Sequence, residues 1–186
     1  MATILYDNKG VVFNNYDLQN KLAWCKKGES MEHGFVREYG ETIKYAINPE
    51  KSTNAFVPDL ISTESQKLAD LKTQHSPFFQ AKVRYNIDPT FAVVFNVKDR
   101  ERYENKYPDI DTLYFVDWIP VKAEIGGRIY EAQPHFGIYK ASFSDLLTLL
   151  EKSQIHQYQQ RVNDTKGNAK DSYIFDIRNE IFKRIM

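Results

Sequence analysis

Apolar residues recur at helical spacing twice near the start of the chain. Leu18, Leu22 and Cys25 do so between Asn15 and about Lys27, and Met31, Phe35 and Tyr39 do so again after Gly28. The first forty residues are therefore predicted to be mainly helical, with a break at the glycine. The period then changes. Ile43, Tyr45 and Ile47 alternate with Thr42, Lys44 and Ala46, as a half-buried strand requires, and Asn48-Pro49 closes it. A second strand is predicted from about Ala55 to Ile61. After the polar turn from Ser62 to Gln66, a third is predicted from Lys67 to Thr73, with Leu68, Asp70 and Lys72 on one face and Ala69 and Leu71 on the other. The three strands read as a meander.

Ser76-Pro77 has the form of an N-cap followed by proline at the first helical position, and Phe79 and Val83 are spaced to share one side of the short helix that follows. Asp88-Pro89 ends it. The run from Thr90 to Val97 is apolar on both sides, which suits a central strand covered on both faces. Further on, Leu113 to Trp118 reads as a strand, Asp145 to about Arg161 as an amphipathic helix with a capping box at Ser142 and Asp145, and Tyr173 to Ile177 as a last strand. The polar stretch from Asn163 to Asn168 reads as a flexible loop.

This pattern describes an α/β chain without internal repeats or low-complexity linkers, and 186 residues suit one domain, 1–186. With 42% hydrophobic and 14% aromatic residues it can bury a full core. The 25 basic and 25 acidic side chains cancel, so any hold on nucleic acid needs cations gathered on one face. Cys25 is the only cysteine, which excludes an internal disulfide and a multi-thiolate zinc site. Neither a signal sequence nor a membrane-spanning run is read, so a soluble cytoplasmic protein without a membrane partner is expected.

The chemistry concentrates in the meander. Asp59 lies within one predicted strand segment, Val57-Pro58-Asp59-Leu60-Ile61, and Asp70 and Lys72 lie across the hairpin in Leu68-Ala69-Asp70-Leu71-Lys72. Two carboxylates on neighbouring strands suit one hard divalent cation, with the Leu71 carbonyl as a further oxygen ligand. Lys72 beside such a cation suits orienting a water or offsetting phosphate charge. Glu32, three and four residues before Phe35 and Val36, falls at the inward edge of its helix and supplies a further acid, with Glu29 one turn earlier as the alternative. Gln74 shares the strand face of Lys72, and Lys82 and Arg84 follow shortly. All three are candidate substrate contacts.

Pro58-Asp59, ten intervening residues and then Asp70-Leu71-Lys72 resembles the PD-(D/E)xK nuclease superfamily, which includes restriction endonucleases and Holliday-junction resolvases. The stretch from Lys27-Gly28 through Glu32 to Val36 is similar to the first helix of archaeal-type resolvases. The resemblance covers roughly the first hundred residues. It implies a restriction-endonuclease-like core of helix, three-strand meander, helix and strand over about 15–98, with 99–186 as a C-terminal α/β extension. It further implies metal binding by Asp59 and Asp70, catalysis by Lys72, metal assistance by Glu32, magnesium (or manganese in its place) as cofactor, and DNA as substrate. Cutting both strands of a duplex needs two sites, so a homodimer is expected.

The same residues have plainer readings. Asp59, Asp70 and Lys72 also suit a cross-strand salt bridge in a non-catalytic interaction module of the same fold. Asp109 and Asp111 read as turn residues, and Lys98 to Lys106 as a solvated charged helix.

Overall fold

Strict alternation around residue 70 produces the strand that organises the molecule. The computed structural model describes residues 3–12, 31–158 and 171–186. Strand β4 (Leu68–Gln74) lies inside a six-stranded sheet of order β12-β9-β6-β4-β3-β2, formed with β2 (Tyr45–Ile47), β3 (Leu60–Ser62), β6 (Asp111–Asp117), β9 (Phe136–Ser142) and β12 (Lys183–Arg184). Every pairing is antiparallel except β4 with β6, which is parallel. A parallel neighbour needs a crossover. The chain makes it through α2 (Ala81–Tyr85), β5 (Ala92–Asn96) and α3 (Val97–Lys106).

The alternation divides the interior in two. Ala69, Leu71, Leu113 and Ile138 face the helical segment α1 (31–43), which includes a π-helical turn at Val36–Gly40 and lays Phe35 against them. Its end is tight, because a side chain at Gly40 would come within 2.6 Å of the Tyr45 carbonyl. Leu68, Tyr114, Val116, Tyr139 and Ala141 face the other way, toward α3, α4 (Phe143–Leu150) and a small sheet of order β10-β11-β5, where β10 is Gln154–His156 and β11 is Ser172–Asp176. A third sheet, β1-β7-β8, joins Thr3–Asp7, Pro120–Ile125 and Arg128–Glu131. Its hairpin turns at Gly126-Gly127, both with positive φ, as a two-residue turn of the primed type requires.

Several expectations are corrected. The strand predicted over 90–97 is β5, which sits at the edge of the small sheet instead of beside the meander, and the strand next to β4 is β6. Apolar periodicity identifies a strand but not its neighbour. Strands β6 and β9, from beyond residue 98, lie in the central sheet with the meander. The second meander strand shrinks to Leu60–Ser62, since the chain before it turns instead of extending: Asn54 accepts from the Phe56 N–H and the Asn48 side-chain amide donates to the Pro58 carbonyl. The helix after Ser76-Pro77 starts only at Ala81, and Val83 is 71% exposed while Phe79 is buried, so the two do not share a face. Ser142 caps its helix as expected, its hydroxyl accepting from the Asp145 N–H and donating to the Asp145 carboxylate, but the helix ends at Leu150 and the chain returns as β10. Asp111 is no turn residue. It opens β6 at 1% exposure, paired with Lys67 at 2.6 Å and Lys140 at 3.0 Å. The helix predicted from Asn15 to Lys27 and the loop from Asn163 to Asn168 lie outside the described residues.

Gln74 has a structural task. Its amide donates to the Val94 carbonyl (3.1 Å) and accepts from the Val94 N–H (3.4 Å), closing the edge of β5 that β11 leaves unpaired. Gln74→Ala is expected to cost about 1–2 kcal/mol in chemical denaturation, because two backbone groups lose their partner. An unchanged midpoint would show that water replaces the amide without loss.

Candidate functional site

The site forms where β3 is too short to cover β4. Register pairs Leu60 with Ala69, and one step further places Asp59 opposite Asp70. Directly opposed residues of an antiparallel pair share a sheet face. Instead of extending the ladder, Asp59 turns its carboxylate onto β4, where Oδ2 accepts from the Leu71 N–H at 3.1 Å. The carbonyl of a strand residue leaves from the same edge as its N–H, so the Leu71 oxygen points to this side as well. Asp59 is itself held in place, since its carbonyl accepts from Asn48 N–H and the Asn48 amide donates to the Pro58 carbonyl.

Two linked clusters of charge result. In the first, the Lys51 ammonium on the 3-10 turn touches Asp59 Oδ1 and lies 3.5 Å from Glu32 Oε1 on α1. In the second, both oxygens of Asp70 are occupied, Oδ2 by Lys72 at 2.6 Å and Oδ1 by Arg102 at 3.1 Å. Lys72 also touches Asp99, and Arg102 lies 3.6 Å from it. The rings of Phe95 and Tyr103 flank the Lys72 ammonium at 5.3 and 5.4 Å. α3 thus presents Asp99, Arg102 and Tyr103 to the sheet, one helical turn of spacing apart.

Electrostatics ties the clusters together. Glu32 is pushed up to about 7, first by burial and then by the charge of Asp59, with Asp70 adding to it. Asp59 is raised by burial and by Asp70. Although burial opposes ionisation of Asp70, Lys72 and Arg102 outweigh it and hold that carboxyl below its ordinary range. Burial also works against the charge on Lys72, yet Asp70, Tyr103 and Asp99 keep it firmly protonated.

Among the described residues, the ion-paired groups here are four acids, Glu32, Asp59, Asp70 and Asp99, and three bases, Lys51, Lys72 and Arg102. Each acid has a cationic neighbour, but among the described residues the acids outnumber the bases by one because Glu32 and Asp59 share Lys51, and Glu32 is the acid whose ionisation is most opposed. A divalent cation supplies the missing charge through oxygen donors of the type it prefers, so the donor set fits magnesium or manganese. Among the described residues no three acidic, histidine or cysteine side chains already stand at metal-holding spacing. The Lys51 ammonium occupies the space between Glu32 and Asp59.

The structure therefore brings together Glu32, Asp59, Asp70, Leu71 and Lys72. Gln74 is engaged with β5. Lys82 and Arg84 are exposed on α2, where Lys82 donates to Asn86 at 2.7 Å and Arg84 lies near His156. Three members of the clusters were not among the expected site residues. Asp99 and Arg102 carried a signal, being spaced three apart on one helix with Tyr103 adjacent, but inside an evenly mixed charged run. Lys51 carried none, because only the 3-10 turn aims it inward.

No protein-family model matches this chain, and searches of curated proteins and of solved structures also give no match. No helix among the described residues is long and apolar enough to cross a membrane.

Proposed function

We propose that this chain is a divalent-metal-dependent endonuclease that hydrolyses DNA phosphodiester bonds. The observation that carries the reading is the convergence of Glu32, Asp59 and Asp70 from three separate elements with negative charge in excess. Glu32, Asp59 and Asp70 would hold magnesium or manganese, with the Leu71 carbonyl alongside; when bound, the ion activates water and offsets charge on the phosphate.

The residues of the chain divide the remaining work. Lys72 stays cationic, so its part is electrostatic: it offsets charge at the phosphate and does not take up a proton. Glu32, raised to about 7 in the metal-free site, would give up its proton on ligating the ion, so metal uptake near neutrality would release a proton. Arg102 and Asp99 position Lys72 and Asp70. The order of elements adds support. Helix α1, the antiparallel meander β2-β3-β4, helix α3 and strand β6 follow the restriction-endonuclease-like sequence of elements, with α3 and β6 in the places expected for α2 and β5.

One observation favours a second reading, a non-catalytic interaction module that keeps the nuclease fold. Both oxygens of Asp70 are already committed to cations, and Lys72 is 12% exposed. Incubation with duplex, branched and single-stranded DNA, with and without magnesium, separates the two. Metal-dependent cleavage that Asp59→Asn and Lys72→Met abolish is the expected result. Binding of DNA without cleavage at any metal concentration would leave the interaction module as the function.

A further inference from the structure

Lys51 holds a position that the proposed chemistry does not use. Its ammonium bridges the Glu32 and Asp59 carboxylates, two of the three acids assigned to the metal, and so stands in for a cation within the site. The turn that carries it is otherwise at the surface: Pro49, Glu50 and Ser52 are exposed, and the Lys51 side chain keeps 20% of its accessibility. The turn is fixed independently of the ammonium. Asn48 caps it, and the Lys51 N–H donates to the Asn48 carbonyl. A lysine carries its charge on a flexible four-carbon stem with strong affinity for water. The ammonium is therefore able to leave for solvent while the backbone stays in place.

We propose that Lys51 is an internal competitor for the divalent cation, displaced when the metal enters and returning when it leaves, so that it sets the metal affinity of the site. The inference rests on the metal-dependent reading above. Two carboxylates facing each other across a buried edge need a cation between them, and one charge does that less completely than two. Lysine keeps the empty site folded. It also charges the entering ion the cost of its removal, which makes occupancy depend on the ambient concentration of metal.

The test is manganese titration of the full chain at pH 8, followed by calorimetry and by the electron paramagnetic resonance signal of free manganese. Lys51→Met removes the competing charge and is expected to bind manganese at least tenfold more tightly than the parent. Lys51→Gln, which keeps a polar group of similar reach, is expected to move the same way and serves if the methionine variant folds poorly. Lys51→Arg keeps the charge and is expected to match the parent or bind more weakly. If the parent binds manganese and both neutral variants bind it equally or less well, Lys51 is not a competitor, while the metal reading stands. If no form binds manganese, the inference falls together with that reading.

Discussion

Asp70→Ala is expected to destabilise the protein by about 3 kcal/mol, because removing one partner of a buried ion pair strands the other charge away from water. Asp70 is 4% exposed and answers two cations, so the loss falls on both Lys72 and Arg102. Asp99 limits the damage by keeping contact with each of them. Urea denaturation at pH 7 reads the change directly. The double replacement Asp70→Leu with Lys72→Met removes both charges and fills similar volume, so it is expected to cost less than Asp70→Ala alone. A loss under about 1 kcal/mol for Asp70→Ala would show instead that water screens the pair as it does at a surface. Cleavage supplies an independent readout: Asp70→Asn keeps the shape, and on the proposed function it is inactive even where it folds.

The local elements of this molecule were readable because short-range chemistry sets them. The alternation from Leu68 to Lys72, the Ser142 cap and the helical spacing of Met31, Phe35 and Tyr39 each follow from neighbours a few residues away. What was not readable depends on distant partners. Nothing between Thr90 and Val97 shows that this strand pairs with β11, or that β6 takes the place beside β4, since both strands are equally apolar. Asp111 follows Pro108-Asp109 and resembles turn chemistry. Lys67 and Lys140, which reach it from β4's flank and β9, and the Tyr45 hydroxyl at 3.4 Å explain a buried acid there.

The candidate site divides along the same line. Asp59, Asp70 and Lys72 sit on a hairpin whose pairing is local, so their proximity followed from spacing. Arg102, Asp99 and Lys51 arrive by a crossover helix and a 3-10 turn, and no periodicity reports either approach. Their presence changes the chemistry. A bare carboxylate pair would await its metal, whereas here each acid already has a cation, and the surplus charge is concentrated on Glu32.

That concentration makes Glu32 the group whose titration the fold should feel most. Its carboxyl is raised from 4.5 to about 7, first by burial. Between those two values the native chain holds a proton that the unfolded chain has released, so stability falls as pH rises through this window and is lowest above it. Asp59, also raised, contributes with the same sign, while Asp70, held low, contributes stability that disappears only as acid protonates it. Glu32→Gln cannot ionise. It is expected to equal the parent near pH 5 and to exceed it near pH 8 by on the order of 3 kcal/mol, since each pKa unit corresponds to about 1.4 kcal/mol and the raised value already includes the attraction to Lys51. Denaturation midpoints at the two pH values measure the difference. Manganese extends the test: if it takes the place of the missing charge, the stability it adds to the parent grows from pH 5 to pH 8 and is much reduced in Glu32→Gln. A parent whose stability is flat from pH 5 to 8, with or without metal, would mean that Glu32 ionises freely in water, and the excess charge on which the site depends would be absent.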